Sequence, residues 1–225
     1  GISPVTASGT SATIDGMTVG RGAGEVSTNP AVGASALAAN STGANNTAVG
    51  QNALLSSDAS GLTAVGRNAL RFTTSGAQNT AVGTGASQQN TTGASNSSLG
   101  FSALLANTTG SYNTAVGDSA LTSNTTASNN TAVGYQAAYS NTTGTALTAV
   151  GFQSMYSTTG SYNTGVGMYA GNAVTSGTDN TLLGYLAGGN ATNSGSYNTA
   201  VGSKALQANT TASNNVAVGA FAAYT

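Results

Sequence analysis

The chain has 225 residues, of which 39% are hydrophobic and only 4% charged, and its four basic and five acidic side chains leave a formal net charge of −1. An ordinary globular domain carries about 25% charged residues, so Asn, Thr, Ser and Gly must supply the polar surface, which suits an extracellular or virion-surface location. No basic stripe exists to neutralise phosphates, which disfavours nucleic-acid partners and anionic membrane surfaces.

The start, Gly1-Ile2-Ser3-Pro4, has neither a basic region nor a signal-peptide core, and no run approaches the roughly 18 apolar residues of a membrane helix, so no direct membrane insertion is expected. Residues 1–29 read as a lead-in with a divergent first coil at Met17-Thr18-Val19-Gly20. From residue 30 to 225 one pattern repeats. Thr-Ala-Val-Gly or a variant ends at Gly33, Gly50, Gly66, Gly83, Gly100, Gly117, Gly134, Gly151, Gly167, Gly184, Gly202 and Gly219, and eight of the eleven intervals are 17 residues. A fixed short period is the mark of a solenoid. The intervals of 16 and 18 residues vary between the Ala-Leu segment and the next Thr-Ala-Val-Gly, as a surface turn tolerates.

The unit is clearest over 113–129, Asn-Thr-Ala-Val-Gly-Asp-Ser-Ala-Leu and then a polar turn. Seventeen residues are too few for a helix pair, and Gly with Thr and Val in every unit argues for strands. The expectation is an all-β, parallel β-solenoid of about twelve 17-residue coils, each with two short strands and two turns. Alternation puts Thr114 and Val116 on one face and Ala115 on the other. The second strand, Asp118 to Leu121, would send Ala120 and Leu121 to opposite faces. Thr47, Thr63, Thr80, Thr114, Thr131 and Thr148 are expected to point inward, their hydroxyls bonding along the stack. Val49, Val65, Val82, Val116, Val133, Val150, Val201 and Val218 are the expected coil core. That leaves Ala48, Ala64, Ala81, Ala115, Ala132, Ala149 and Ala200 as an outward apolar stripe, too long for a monomer to expose. It is the expected oligomer interface, between parallel copies of the same chain.

The unit Asn-Thr-Ala-Val-Gly-x-x-Ala-Leu resembles the head repeat of YadA-type trimeric autotransporter adhesins and related repeats in phage tail-fibre proteins, over about residues 17 to 222. The resemblance implies a left-handed β-roll and a homotrimer with its inner strand on the axis. It also implies attachment to a host surface. The longer unit, its Thr and its Asn-Thr-Thr-Gly turns favour a tail-fibre or receptor-binding shaft. An adhesin head, or a purely structural filament with or without glycans, is the alternative.

Candidate chemistry is sparse. His and Cys are absent, which removes the commonest general base and thiol nucleophile, and Asp15, Glu25, Asp58, Asp118 and Asp179 are scattered over different coils. No enzyme, catalytic residue, metal site or cofactor is expected. Tyr112, Tyr135, Tyr139, Tyr156, Tyr162, Tyr185 and Tyr197 are candidate contacts for a host glycan or protein, since a tyrosine ring offers a flat apolar face and a polar tip. The favoured reading is that these rings, with Phe101 and Phe152, cap coil edges or pack between protomers. Asn40, Asn45, Asn90, Asn96, Asn107, Asn124, Asn129, Asn141, Asn190 and Asn209 open Asn-x-Ser/Thr triplets, a glycan-acceptor pattern or simply turn chemistry. An ice-binding face is set aside, because the strand threonines are expected to point inward.

Overall fold

The computed structural model describes residues 6–8, 11–14, 17–24, 26–189 and 193–223; Asp15, Glu25, Asn190 and the stretch from Gly1 to Pro4 lie outside them. Among the described residues fifteen strands form one sheet in sequence order. The first three, β1 (Thr6–Ser8), β2 (Ser11–Ile14) and β3 (Met17–Gly20), run antiparallel, and β3 pairs antiparallel with β4 (Ala31–Gly33). From β4 onward every pairing is parallel. The remaining strands, β5 to β15, are Thr47–Val49, Thr63–Val65, Thr80–Val82, Ser97–Leu99, Thr114–Val116, Thr131–Val133, Thr148–Val150, Thr164–Val166, Thr181–Leu183, Thr199–Val201 and Val216–Val218. The chain is a parallel β-solenoid of about eleven turns of 17 residues. At a strand spacing of about 4.8 Å, eleven steps make a rod roughly 53 Å long.

Like residues stack: Thr131 pairs with Thr114 and Thr148, Ala132 with Ala115 and Ala149, and Val133 with Val116 and Val150. The register survives both 16-residue coils, where Thr47 meets Thr63 and Thr148 meets Thr164, and the 18-residue coil, where Thr181 meets Thr199. Length changes are absorbed in the turns.

The two faces of the strand are the reverse of the sequence expectation. Ala48, Ala64, Ala81, Ala115, Ala132, Ala149 and Ala200 are fully buried in the chain's own core. Val49, Val133 and Val218 are exposed, and Val65, Val82, Val116, Val150 and Val201 are half-buried. The alanines are therefore coil core rather than an outward stripe, and the valines lie on the outside with the strand threonines. Volume is the reason. Ala120 and Leu121, both fully buried, fill the narrow coil from the opposite side and leave the strand room for little more than a methyl group.

The expected second strand is absent as well. Ser119 and Leu121 adopt left-handed backbone, with φ of 58° and 50°. That conformation costs a non-glycine residue about 1–2 kcal/mol. It breaks the strand alternation and turns Ala120 and Leu121 the same way. It also lets the segment bond in both directions along the stack: Ser119 N–H donates to Phe101 C=O at 2.9 Å, and Leu121 N–H donates to Ala137 C=O at 3.0 Å. The peptide groups are thus satisfied without a β-ladder.

Departures from the consensus core are paired. Ser98 replaces the strand alanine and accepts a 2.9 Å hydrogen bond from Ser87, which replaces the leucine. Leu182 also replaces the alanine, and glycines at 171 and 188 make room. A Cβ on Gly171 would come within 2.8 Å of Leu182 Cδ1, and one on Gly188 within 2.9 Å.

Two columns of buried asparagine complete the interior. One column precedes most of the strands: Asn113 Oδ1 accepts the Asn130 backbone N–H at 3.0 Å, and Asn113 Nδ2 donates to Ala127 C=O at 2.9 Å. In the turn, Asn107 Nδ2 donates to Asn90 Oδ1 at 2.8 Å, and Asn124 Nδ2 donates to Asn107 Oδ1 at 2.9 Å. Strand threonine hydroxyls are not part of this scaffold; turn threonines are, as when Thr108 Oγ1 donates to Thr125 C=O at 3.1 Å. Thr73 takes the asparagine position of one turn, and its buried hydroxyl lacks a hydrogen-bond partner. An unsatisfied buried polar group costs about 1–3 kcal/mol. Thr73→Asn should therefore stabilise the rod by about 1 kcal/mol, seen as a raised melting temperature; an unchanged or lowered one contradicts the ladder account.

Candidate interaction surface

Alternation through each strand builds one long outer face. In the coil of β9, Tyr112, Thr114, Val116 and Asp118 are exposed or half-buried, whereas Asn113 and Ala115 are buried. Thr and Val columns run down the middle of this face, and Tyr112 and Asp118 belong to its two edges. The Val column includes Leu99 at 51% exposure, so the face is apolar along its length.

The edges carry what varies between coils. The edge before the strand holds Asn45, Gly61, Gln78, Ser95, Tyr112, Asn129, Ala146, Tyr162, Asp179, Tyr197 and Asn214, and all of these have positive φ. The edge after the strand holds Gln51, Arg67, Thr84, Phe101, Asp118, Tyr135, Phe152, Met168, Tyr185, Ser203 and Ala220. From β8 to β14 every coil has one aromatic ring, at one edge or the other and never at both. The opposite position is Ser95, Asp118, Asn129, Ala146, Asp179 or Ser203, with Met168 facing Tyr162 as the single large pair.

The seven candidate tyrosines do not converge on one site. Tyr112, Tyr162 and Tyr197 stand in the first edge, 65%, 62% and 60% exposed, without a neighbour to cover them. Tyr135 and Tyr185 stand in the second edge, where Tyr135 stacks on Phe152 with ring centroids 5.2 Å apart. Tyr139 and Tyr156 are outside both, half-buried and stacked on each other at 5.1 Å. The expected inward placement of Thr114 and Val116 hides the fact that Tyr112 and Asp118 border the same face.

The acceptor triplets are mostly closed to modification. Asn40, Asn90, Asn96, Asn107, Asn124 and Asn141 are at most 1% exposed, and their amide nitrogens donate within the core. Asn45 and Asn129 are exposed, and Asn209 is half-buried. Turn chemistry accounts for the six buried ones.

Asp58, Asp118 and Asp179 are exposed and lie in different coils. Among the described residues no group of three or more His, Cys, Asp or Glu is placed to hold a metal ion, and no helix is long and apolar enough to cross a membrane. Asp58 closes a turn in the coil below: its Oδ1 accepts the Ser41 N–H at 2.6 Å, the Ser41 hydroxyl at 3.0 Å and the Thr42 N–H at 3.2 Å. These bonds, the Ser41 backbone first, hold its pKa below the ordinary 3.8. A depressed folded-state pKa stabilises the fold above the unfolded value, and the contribution fades as pH falls through the folded one. The turn should therefore be pH-independent above about pH 5 and loosen only below about pH 4. Amide exchange at Ser41 and Thr42 would report it, and Asp58→Asn should remove the acid dependence.

The described architecture defines a class, the parallel β-solenoids. In comparisons with family models, curated proteins and solved structures, nothing matches the chain.

Proposed function

We propose that the chain is the shaft of an attachment fibre, a parallel homotrimer of the kind found in phage tail fibres, displayed at an extracellular or virion surface. The unbroken Thr–Val face carries this reading. It runs the length of the solenoid, and its apolar column is long enough to favour burial against copies of the same chain. Three copies fit by geometry. From Tyr112 to Asp118, across the three-residue strand and its flanking positions, the face spans at most about 20 Å. A triangular prism with sides of about 20 Å puts its axis about 6 Å from each backbone, near half the ~10 Å spacing of packed sheets. Four copies would leave the axis about 10 Å away and a channel to fill. The likeness of the repeat to YadA-type heads supports the same number, and the interface moves from the alanines to the Thr and Val columns.

Sedimentation of the chain tests the assembly, a trimer supporting it and a stable monomer refuting it. Binding to host cells or a glycan array tests attachment; a trimer that binds nothing would be a structural filament. One observation favours a second reading. The strand threonines face outward after all, about 4.8 Å apart between coils and about 6.6 Å from the Val column along the strand. A flat face of this kind is a candidate for ordering water into ice, and thermal hysteresis from a monomer would select that reading over the trimer.

A further inference from the structure

We infer that the two edges of the Thr–Val face form the seams of the trimer and that their rings set its register, an inference that rests on the trimeric reading above. In a closed ring of three parallel chains each seam is heterologous, joining the leading edge of one protomer to the trailing edge of the next. With like coils level, Tyr112 of one chain would meet the next chain's copy of position 118. Within one chain these positions are separated by Thr114 and Val116, so no contact inside the protomer accounts for a ring at one edge being matched by a small or polar residue at the other.

The match extends to chemistry. The coils that carry Asp118 and Asp179 at one edge carry Tyr112 and Tyr185 at the other, so each phenol can donate to a carboxylate across the seam. Phe152, which has no donor, is matched with Ala146. A shift of one coil would set Tyr112 against Tyr135 at one step and leave small residues facing each other at another. Since all the other columns are nearly uniform, the edges are where a one-coil slip would be penalised.

Disulfide trapping in the full chain tests the seam, helped by the absence of native cysteine. A chain carrying Asn129→Cys and Tyr135→Cys should give covalent trimers on oxidation. Bridging inside one chain is excluded, because the strand Thr131–Val133 lies between the two positions and alone spans about 10 Å, whereas a disulfide needs its Cα atoms within about 7 Å. The one-coil-offset pair, Asn129→Cys with Phe152→Cys, should give at least tenfold less. Sedimentation of the same samples separates the outcomes: a monomer overturns trimer and seam together, whereas a trimer that traps the offset pair as well, or neither pair, overturns the seam alone. An exchange of residues supplies the second readout. Asp118→Tyr, which places two rings in one seam, should lower the melting temperature of the trimer by about 5 °C. Adding Tyr112→Asp to it should restore most of that loss. If Asp118→Tyr is neutral, or the exchange fails to restore stability, the rings are not matched across a seam.

Discussion

Replacing Gly134 by alanine should destabilise the rod by about 4 kcal/mol, summing backbone strain and overpacking. Gly134 has φ of +133°, and a Cβ there would lie 2.5 Å from the carbonyl oxygen of Gly151 in the next coil. Both sides of that contact are backbone, so no side chain can swing away. The same arrangement recurs at Gly117, where the added Cβ would meet the Gly134 oxygen at 2.5 Å. A built-in control is Gly219, whose φ is +122° but whose Cβ would meet nothing within 4 Å. Gly219→Ala should therefore cost only the conformational part, about 1–3 kcal/mol. Thermal melts of the two variants, with limited proteolysis to locate cleavage near residue 134, check the difference. Equal effects would show that conformation, and not stacking, fixes these glycines.

Asn113→Ala should cost about 3 kcal/mol or more. It strands the buried Asn130 N–H that Asn113 Oδ1 accepts, and it removes one of two side-chain donors to Ala127 C=O, the other being Asn124 Nδ2 at 3.0 Å. It also leaves a cavity. Asn113→Leu should be milder, because Leu62 and Leu147 occupy this same column, fully or almost fully buried, in their own coils. Leucine fills the volume but leaves the Asn130 N–H without its partner, so its cost should fall between zero and that of alanine. Denaturant melts rank the three proteins, and a leucine variant worse than alanine would contradict the assignment of the loss to hydrogen bonds plus volume.

The period, the parallel stacking and the strand at Thr-Ala-Val are legible in the sequence, because identical residues at fixed spacing leave few other ways to satisfy a backbone. Which face turns inward is not decided by hydrophobicity, since Val outranks Ala on any transfer scale and yet lies outside. A better signal is parity: positions 112 and 118, which accept Tyr, Asp, Arg, Gln and Asn in different coils, alternate in phase with Thr114 and Val116. Such variety marks an outer face, and it carries the Thr and Val columns with it. The Ala120-Leu121 segment had no readable signal. Left-handed backbone at a leucine goes against its own preference, and the stack imposes it by bonding Leu121 N–H to the next coil. The two-edge arrangement was hidden for the same reason as the face itself.

The coils are joined almost wholly by neutral amides, hydroxyls and peptide groups, with Asp58 as an ionised exception. Ionic strength screens interactions between charges and leaves dipoles in a dry core nearly untouched. Stability should thus be almost flat from dilute buffer to about 1 M sodium chloride, a span over which the Debye length shrinks to about 3 Å. A solenoid fastened in this way should hold its fold in fresh water and in brine alike.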